Sequence, residues 1–166
     1  LVQNQLGLIN CLIVFWIDLL LFSQDWLEIT VRLVSAIGFG ALIGWEREIR
    51  NKAAGLRTHM LVSLGAALFV LIPIMLSPSQ QEYEALSRTI QGVATGIGFL
   101  GAGEIWRDTQ PQKGKNQVHG LTSAAAIWVA AALGAAAGCG LWQMGLLGGI
   151  LTLIVLRLIK QFEHYF

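Results

Sequence analysis

The chain has 166 residues, 55% of them hydrophobic and 13% charged, with a formal net charge of +1 and a mean hydropathy of +0.63. A soluble globular domain carries about 25% charged residues, so this deficit argues against water and for lipid as the solvent. The small net charge gives no bulk attraction to nucleic acid, and no nucleic-acid partner is expected.

Six apolar segments follow one another: Leu6–Phe22, Ile29–Trp45, Met60–Leu76, Thr89–Trp106, Gly120–Gly138 and Leu141–Ile159. Each is close to the roughly 20 residues that cross about 30 Å of hydrocarbon at about 1.5 Å per residue. The first contains Asp18 and has no basic flank, so it reads either as a span or as an interfacial helix. Residues 1–5 carry no Lys or Arg and no A-x-A-like site follows, so a cleaved signal peptide is not expected. The fold class expected is all-α, a polytopic membrane helix bundle of five core transmembrane helices plus this N-terminal element. Its divisions are an N-terminal apolar segment with an outer loop (1–28), a transmembrane domain (29–160) and a short cytoplasmic tail (161–166).

Charge alternates between the connections. Arg47, Arg50, Lys52 and Arg57 follow the second segment, Arg107, Lys113 and Lys115 follow the fourth, and Arg157 and Lys160 end the chain. Nine of the eleven Lys and Arg thus fall on one side, which the positive-inside rule assigns to the cytoplasm. Trp26, Tyr83 and Trp142 would mark the outer boundary, and Trp45, Trp106 and Tyr165 the inner one. Both predict a multi-pass membrane protein with a cytoplasmic C-terminus. Small-xxx-small pairs at Gly40/Gly44, Gly92/Gly96 and Gly134/Gly138 permit close helix crossings. Gly40, Gly44, Gly96, Gly101 and Gly103 are the expected helix-packing glycines, in a tight bundle without a roomy pore.

Candidate chemistry is sparse. Gly96-Ile-Gly98-Phe-Leu-Gly101 matches G-x-G-x-x-G, but it sits inside an apolar span, with Asp108 only seven residues on. Dinucleotide binding needs a strand before the motif and an acid about 20 residues after it. Glu104 is a carboxylate near the end of a span, a functional candidate or a partner of Arg107 at i+3. Arg32 follows Glu28 by four residues, the spacing of a surface-anchoring pair. Glu46 and Arg50 are i,i+4 neighbours in the favourable order, Gly55 can break the helix, and Thr58 can cap the next one. Glu46, Arg57 and Thr58 read as a docking or ion-sensing surface, or as positive-inside anchoring. His119-Gly-Leu-Thr122 opens the fifth segment. His59, His119 and His164 lack metal-ligand spacing, and the metal question stays open. Cys11 and Cys139 read as small buried hydrophobes. Without a nucleophile-and-base set, neither catalysis nor a cofactor is expected. The candidate functional residues are Glu46, Arg47, Arg57, Thr58, Glu104, Arg107, His119 and Thr122.

Three ordered blocks carry a resemblance: GALIGWEREIRNKAAGLRTHMLVSLGAALF at 40–69, GIGFLGAGEIWR at 96–107 and VHGLTSAAAIWVAAALGAAAG at 118–138. Together they resemble the transmembrane domain of the MgtC/SapB family, as a short member lacking the C-terminal cytoplasmic domain. The resemblance implies a bacterial inner-membrane protein with five core spans. It also implies links to growth at low magnesium and survival inside host cells, and binding to other membrane proteins such as the proton-driven ATP synthase. The family pattern falls on Glu46, Arg47, Gly55, Leu56, Arg57, Thr58, Gly101, Gly103, Arg107, Gly120 and Thr122. The chain departs from it at His119, where Arg is usual, at Glu104, a position commonly apolar, and in a longer loop at Asp108–Gln117. The function expected is a binding or regulatory module linked to magnesium limitation or to acid or intracellular stress. Its partner would be a membrane protein or a second copy. The alternative is a transporter of Mg2+ or another small ion. The lack of an internal repeat, and ionisable residues placed at interfaces rather than at mid-depth, weigh against it.

Overall fold

In hydrocarbon every backbone N–H and C=O must be bonded within the chain, so long apolar runs become helices. A computed structural model of the chain describes residues 2–76, 82–108 and 117–159, with side-chain surroundings for 26–76, 83–105 and 118–157. The order is α1 (Val2–Ile49), α2 (Leu56–Leu76), α3 (Glu82–Glu104), β1 (Trp106–Asp108), β2 (Gln117–His119), α4 (Leu121–Gly138) and α5 (Trp142–Ile154), with a π-helical turn at Val155–Ile159. This is an all-α membrane helix bundle. Among the described residues, three helical stretches are long and apolar enough to cross a membrane, namely Trp26–Ile49, Leu56–Leu76 and Leu121–Gly138, and a shorter apolar one covers Trp142–Arg157. The chain divides into two compact units, Leu1–Val31 and Arg32–Phe166.

Three expectations about these elements need correction. Residues 23–28, expected as an outer loop, are helical and belong to α1; that stretch contains neither Gly nor Pro to stop a helix. In the first unit Thr30 donates its hydroxyl back to the Trp26 carbonyl at 2.7 Å, as a helical threonine does. The fourth apolar segment ends at Glu104, and Trp106 opens a short antiparallel ribbon instead. There Trp106 pairs with His119, Arg107 with Val118 and Asp108 with Gln117. Arg57, Thr58 and His59 open α2 as expected, but Thr58 is not its cap. The Glu48 carboxylate, from the end of α1, accepts the Leu56 N–H at 2.9 Å, satisfying one of the helix's unpaired first amides.

The second unit is organised by close backbone approaches. A Cβ on Gly134 would lie 2.0 Å from the Ser63 carbonyl oxygen, and one on Gly138 2.8 Å from that of Ala67. Residue numbers rise together along this contact, so α2 and α4 run parallel. A Cβ on Gly40 would lie 2.5 Å from the His59 carbonyl oxygen, and one on Gly44 2.8 Å from Leu56 Cα, which makes α1 antiparallel to α2. Between these helices lies a core of Ala36, Phe39 and Ile43 from α1, Ala67 from α2, and Ala126, Ala130, Leu133 and Ala137 from α4. Alanine dominates because the axes are too close for larger side chains.

The α3 glycines behave differently. Gly101 makes only ordinary van der Waals contact, with Ala124 at 3.4 Å, while Gly92, Gly96, Gly98 and Gly103 have nothing within 4 Å of a built Cβ. Gly96 and Gly103 were expected to pack against a neighbouring helix, and neither does. A four-residue spacing puts two small residues on one face but does not decide which face meets a partner.

A buried polar cluster as the candidate functional site

The helix directions bring the C-termini of α1 and α3 and the N-termini of α2 and α4 to one end of the second unit, here termed the basic end. Among the described residues of this unit five polar ones are buried, each at most 5% exposed: Glu46, Arg47, His59, Ser63 and Ser123. The local chain explains part of this. Asn51 takes a left-handed conformation (φ 50°), its N–H bonds the Glu48 carbonyl at 2.9 Å, and the Lys52 N–H bonds the Arg47 carbonyl at 3.1 Å. The turn thereby folds α2 back along the last turns of α1, and Gly44 and Gly40 let it come close.

Glu46 is therefore internal, contrary to its expected place on a docking surface. Its Oε2 accepts from Arg47 at 3.4 Å, and its Oε1 forms an ion pair with Arg50 Nε. Oε1 makes no hydrogen bond of good geometry, but the Arg50 contact compensates its charge. Buried charges persist only when paired in this way. The sequence placed Glu46 and Arg50 together correctly by spacing; the burial came from the returning chain.

His59 is fully buried, and sequence reasoning did not single it out. The signal was the His59, Ser63, Ala67 succession at every fourth residue, a polar-to-small stripe facing α1 and α4. The ring Nδ1 lies 2.8 Å from the Gly55 carbonyl oxygen. A carbonyl only accepts, so Nδ1 carries the hydrogen and neutral His59 keeps its lone pair on Nε2. That Nε2 and Arg47 Nε are both buried without a hydrogen-bond partner among the described residues. His59 also lies within electrostatic reach of Arg47, Glu104 and Glu46. One open acceptor and one open donor in a buried polar cluster can seat a water or exchange a proton at Nε2. Ser63 closes the cluster by donating to the Ala36 carbonyl at 2.6 Å.

The remaining candidates lie around this centre. Arg57, Thr58 and Thr122 are exposed, while Glu104 and His119 are half-buried. Gly120, in a left-handed conformation (φ 91°), caps α4, and its built Cβ would lie 2.1 Å from the Glu104 carbonyl oxygen. This close approach joins the end of α3 to the start of α4 and needs glycine on both counts. The side chain of Arg107 and the residues Cys11, His164 and Tyr165 lie outside those whose side chains are described. No group of three His, Cys, Asp or Glu able to hold a metal occurs among the described residues.

At the opposite end Arg32 donates to the Gly138 carbonyl at 2.8 Å. It serves the open C-terminus of α4, where a cation meets unpaired carbonyls, in addition to any surface role. Burial raises the pKa of the neighbouring Cys139 thiol, and Arg32 partly opposes that shift.

Fold and cluster together define a polytopic helical membrane protein with a polar centre at one end of its bundle. The family model described as MgtC family matches residues 33–165, and the chain belongs to that family. It is 49% identical over 144 residues to Protein SrpB of Synechococcus elongatus, covering 84% of this chain and 79% of that one. Identity is 41% over 140 residues with the protein named "Putative magnesium transporter YhiD" of Escherichia coli, covering 81% and 61%. It is 39% over 131 residues with Protein MgtC of Salmonella typhimurium, covering 79% and 52%. The chain thus spans most of SrpB but about half to three fifths of the other two. No solved structure matches it.

Proposed function

We propose that this protein is a bacterial inner-membrane binding or regulatory module, without catalytic activity, that works in magnesium limitation or in acid or intracellular stress. The observation that carries this reading is the division of charge at the basic end. Glu46 is compensated internally by Arg47 and Arg50, whereas Arg57 and Thr58 are exposed and have no ion pair or hydrogen bond among the described residues. Sealed charge stabilises the bundle, and open donors meet a partner. The physiological link draws on the names of YhiD and MgtC, and the orientation on the positive-inside rule. The partner is a membrane protein or a second copy. Transport of Mg2+ is the second reading, favoured by the name of YhiD alone.

Co-purification from mild detergent tests the contact surface. Arg57→Ala removes a fork of up to five donors, and with Thr58→Val it should abolish capture of a partner seen with the unchanged chain while leaving its abundance intact. Retention of that partner by the double variant would count against the surface.

Topology has its own test. A membrane-impermeant thiol reagent applied from outside should label a cysteine placed at Ser79 but none placed at Asn51. Outside labelling at Asn51 would reverse the orientation.

A further inference from the structure

An apolar groove of about 660 Å³ runs between α2 and α3, lined among others by Leu61, Gly65 and Phe69 on one side and Thr89, Gly96 and Leu100 on the other. Its lining is almost wholly apolar, and the Thr89 hydroxyl donates to the Ala85 carbonyl at 2.9 Å. Gly65, Gly92 and Gly96 have nothing within 4 Å of a built Cβ, so the two helices stand apart where their side chains are smallest. At the basic end the character changes. Arg57 and Thr58 precede Leu61 and Val62 by one helical turn, and Glu104 follows Leu100 by one turn, which continues the groove-lining faces of α2 and α3 toward the basic end. Arg57 is exposed and, among the described residues, has no ion pair.

We propose that this groove is a binding site for one glycerophospholipid. An acyl chain lies against Gly65, Gly92 and Gly96, and the phosphodiester sits on Arg57 and the Thr58 hydroxyl. Charge complementarity selects this occupant over a bare helix: a dry channel of hydrocarbon character opens onto an uncompensated guanidinium, which matches a phosphate by geometry. Glu104 refines the choice. An acceptor-only carboxylate beside the phosphate site favours a headgroup with further hydrogen-bond donors, an ammonium or hydroxyls, over a trimethylated choline. Lipid and protein partner compete for Arg57 and Thr58, whereas Gly65, Gly92 and Gly96 line the groove alone and belong only to the lipid site.

Native mass spectrometry of the purified full chain, after exchange into detergent with phosphatidylethanolamine, phosphatidylglycerol or phosphatidylcholine, tests this directly. The chain should hold one phosphatidylethanolamine or phosphatidylglycerol and retain phosphatidylcholine poorly. Gly96→Leu and, separately, Gly92→Leu should evict the lipid with helicity and monodispersity unchanged. Arg57→Gln should weaken retention about tenfold, the effect of losing one charged hydrogen bond, and Glu104→Gln should erase the preference over phosphatidylcholine. Equal retention of all three lipids by the unchanged chain, or full retention by both leucine variants, would overturn the proposal. So would a dimer that excess lipid does not dissociate and Gly96→Leu does. None of these readouts involves the partner, so failure here and failure of the partner surface are separate results.

Discussion

Gly134→Ala is expected to cost the folded protein about 3 kcal/mol, at the upper end of what overpacking usually costs, and to lower its yield and melting temperature in detergent. The added Cβ would lie 2.0 Å from the Ser63 carbonyl oxygen and 2.6 Å from its carbon. Both are backbone atoms, so no side chain can turn aside. α2 and α4 would have to separate, and Ser63 would then lose its hydrogen bond to the Ala36 carbonyl on α1. Gly96→Ala carries the opposite expectation. The site is mid-helix and open, and replacing an interior helical glycine by alanine stabilises by about 0.5–1 kcal/mol. Similar melting shifts for Gly134→Ala and Gly96→Ala would contradict this reading of the packing.

Glu46→Ala should produce a loss of comparable size. The carboxylate is 2% exposed, next to an Arg47 that is 3% exposed. Removing one member of a buried ion pair costs about 3–5 kcal/mol because the other charge is left uncompensated. Glu84→Ala is the control. Its pair with Arg88 also has i,i+4 spacing but is exposed on both sides, and such pairs contribute about 0–1 kcal/mol. Equal small effects of the two substitutions, measured by thermal unfolding in one detergent, would show that the Glu46 cluster is solvated.

These two contrasts show what the sequence could and could not say. Gly134 and Gly96 both belong to four-residue glycine pairs inside apolar segments, and nothing local separates them. Only the arrangement of α2 against α4 makes one a contact and leaves the other on an open groove. Glu46 and Glu84 each stand four residues before an arginine, so their pairing was legible, whereas burial depended on the turn at Asn51 and on α2 returning along α1. The apolar segments themselves read well, because hydrocarbon leaves the backbone little choice. The exceptions were residues 23–28, where a polar interruption without Gly or Pro stayed helical, and the pairing of Trp106–Asp108 with Gln117–His119, where three-residue strands leave little hydropathy signal. His59 escaped notice because a lone histidine carries no spacing of its own. Its buried ring is defined by Gly55, Arg47 and Glu104, which three different helix ends and a turn bring together.

The proposed function has this family member bind and regulate without conducting Mg2+. Purified protein reconstituted into liposomes with an internal Mg2+ indicator measures it directly. A non-conducting protein gives no protein-dependent Mg2+ entry above that of empty liposomes, under either polarity of membrane potential and with or without a proton gradient, from a preparation whose folding is verified by its melting transition. Saturable Mg2+ entry that scales with protein content and is abolished by Glu104→Gln would overturn the regulatory reading and place that carboxylate in an ion path.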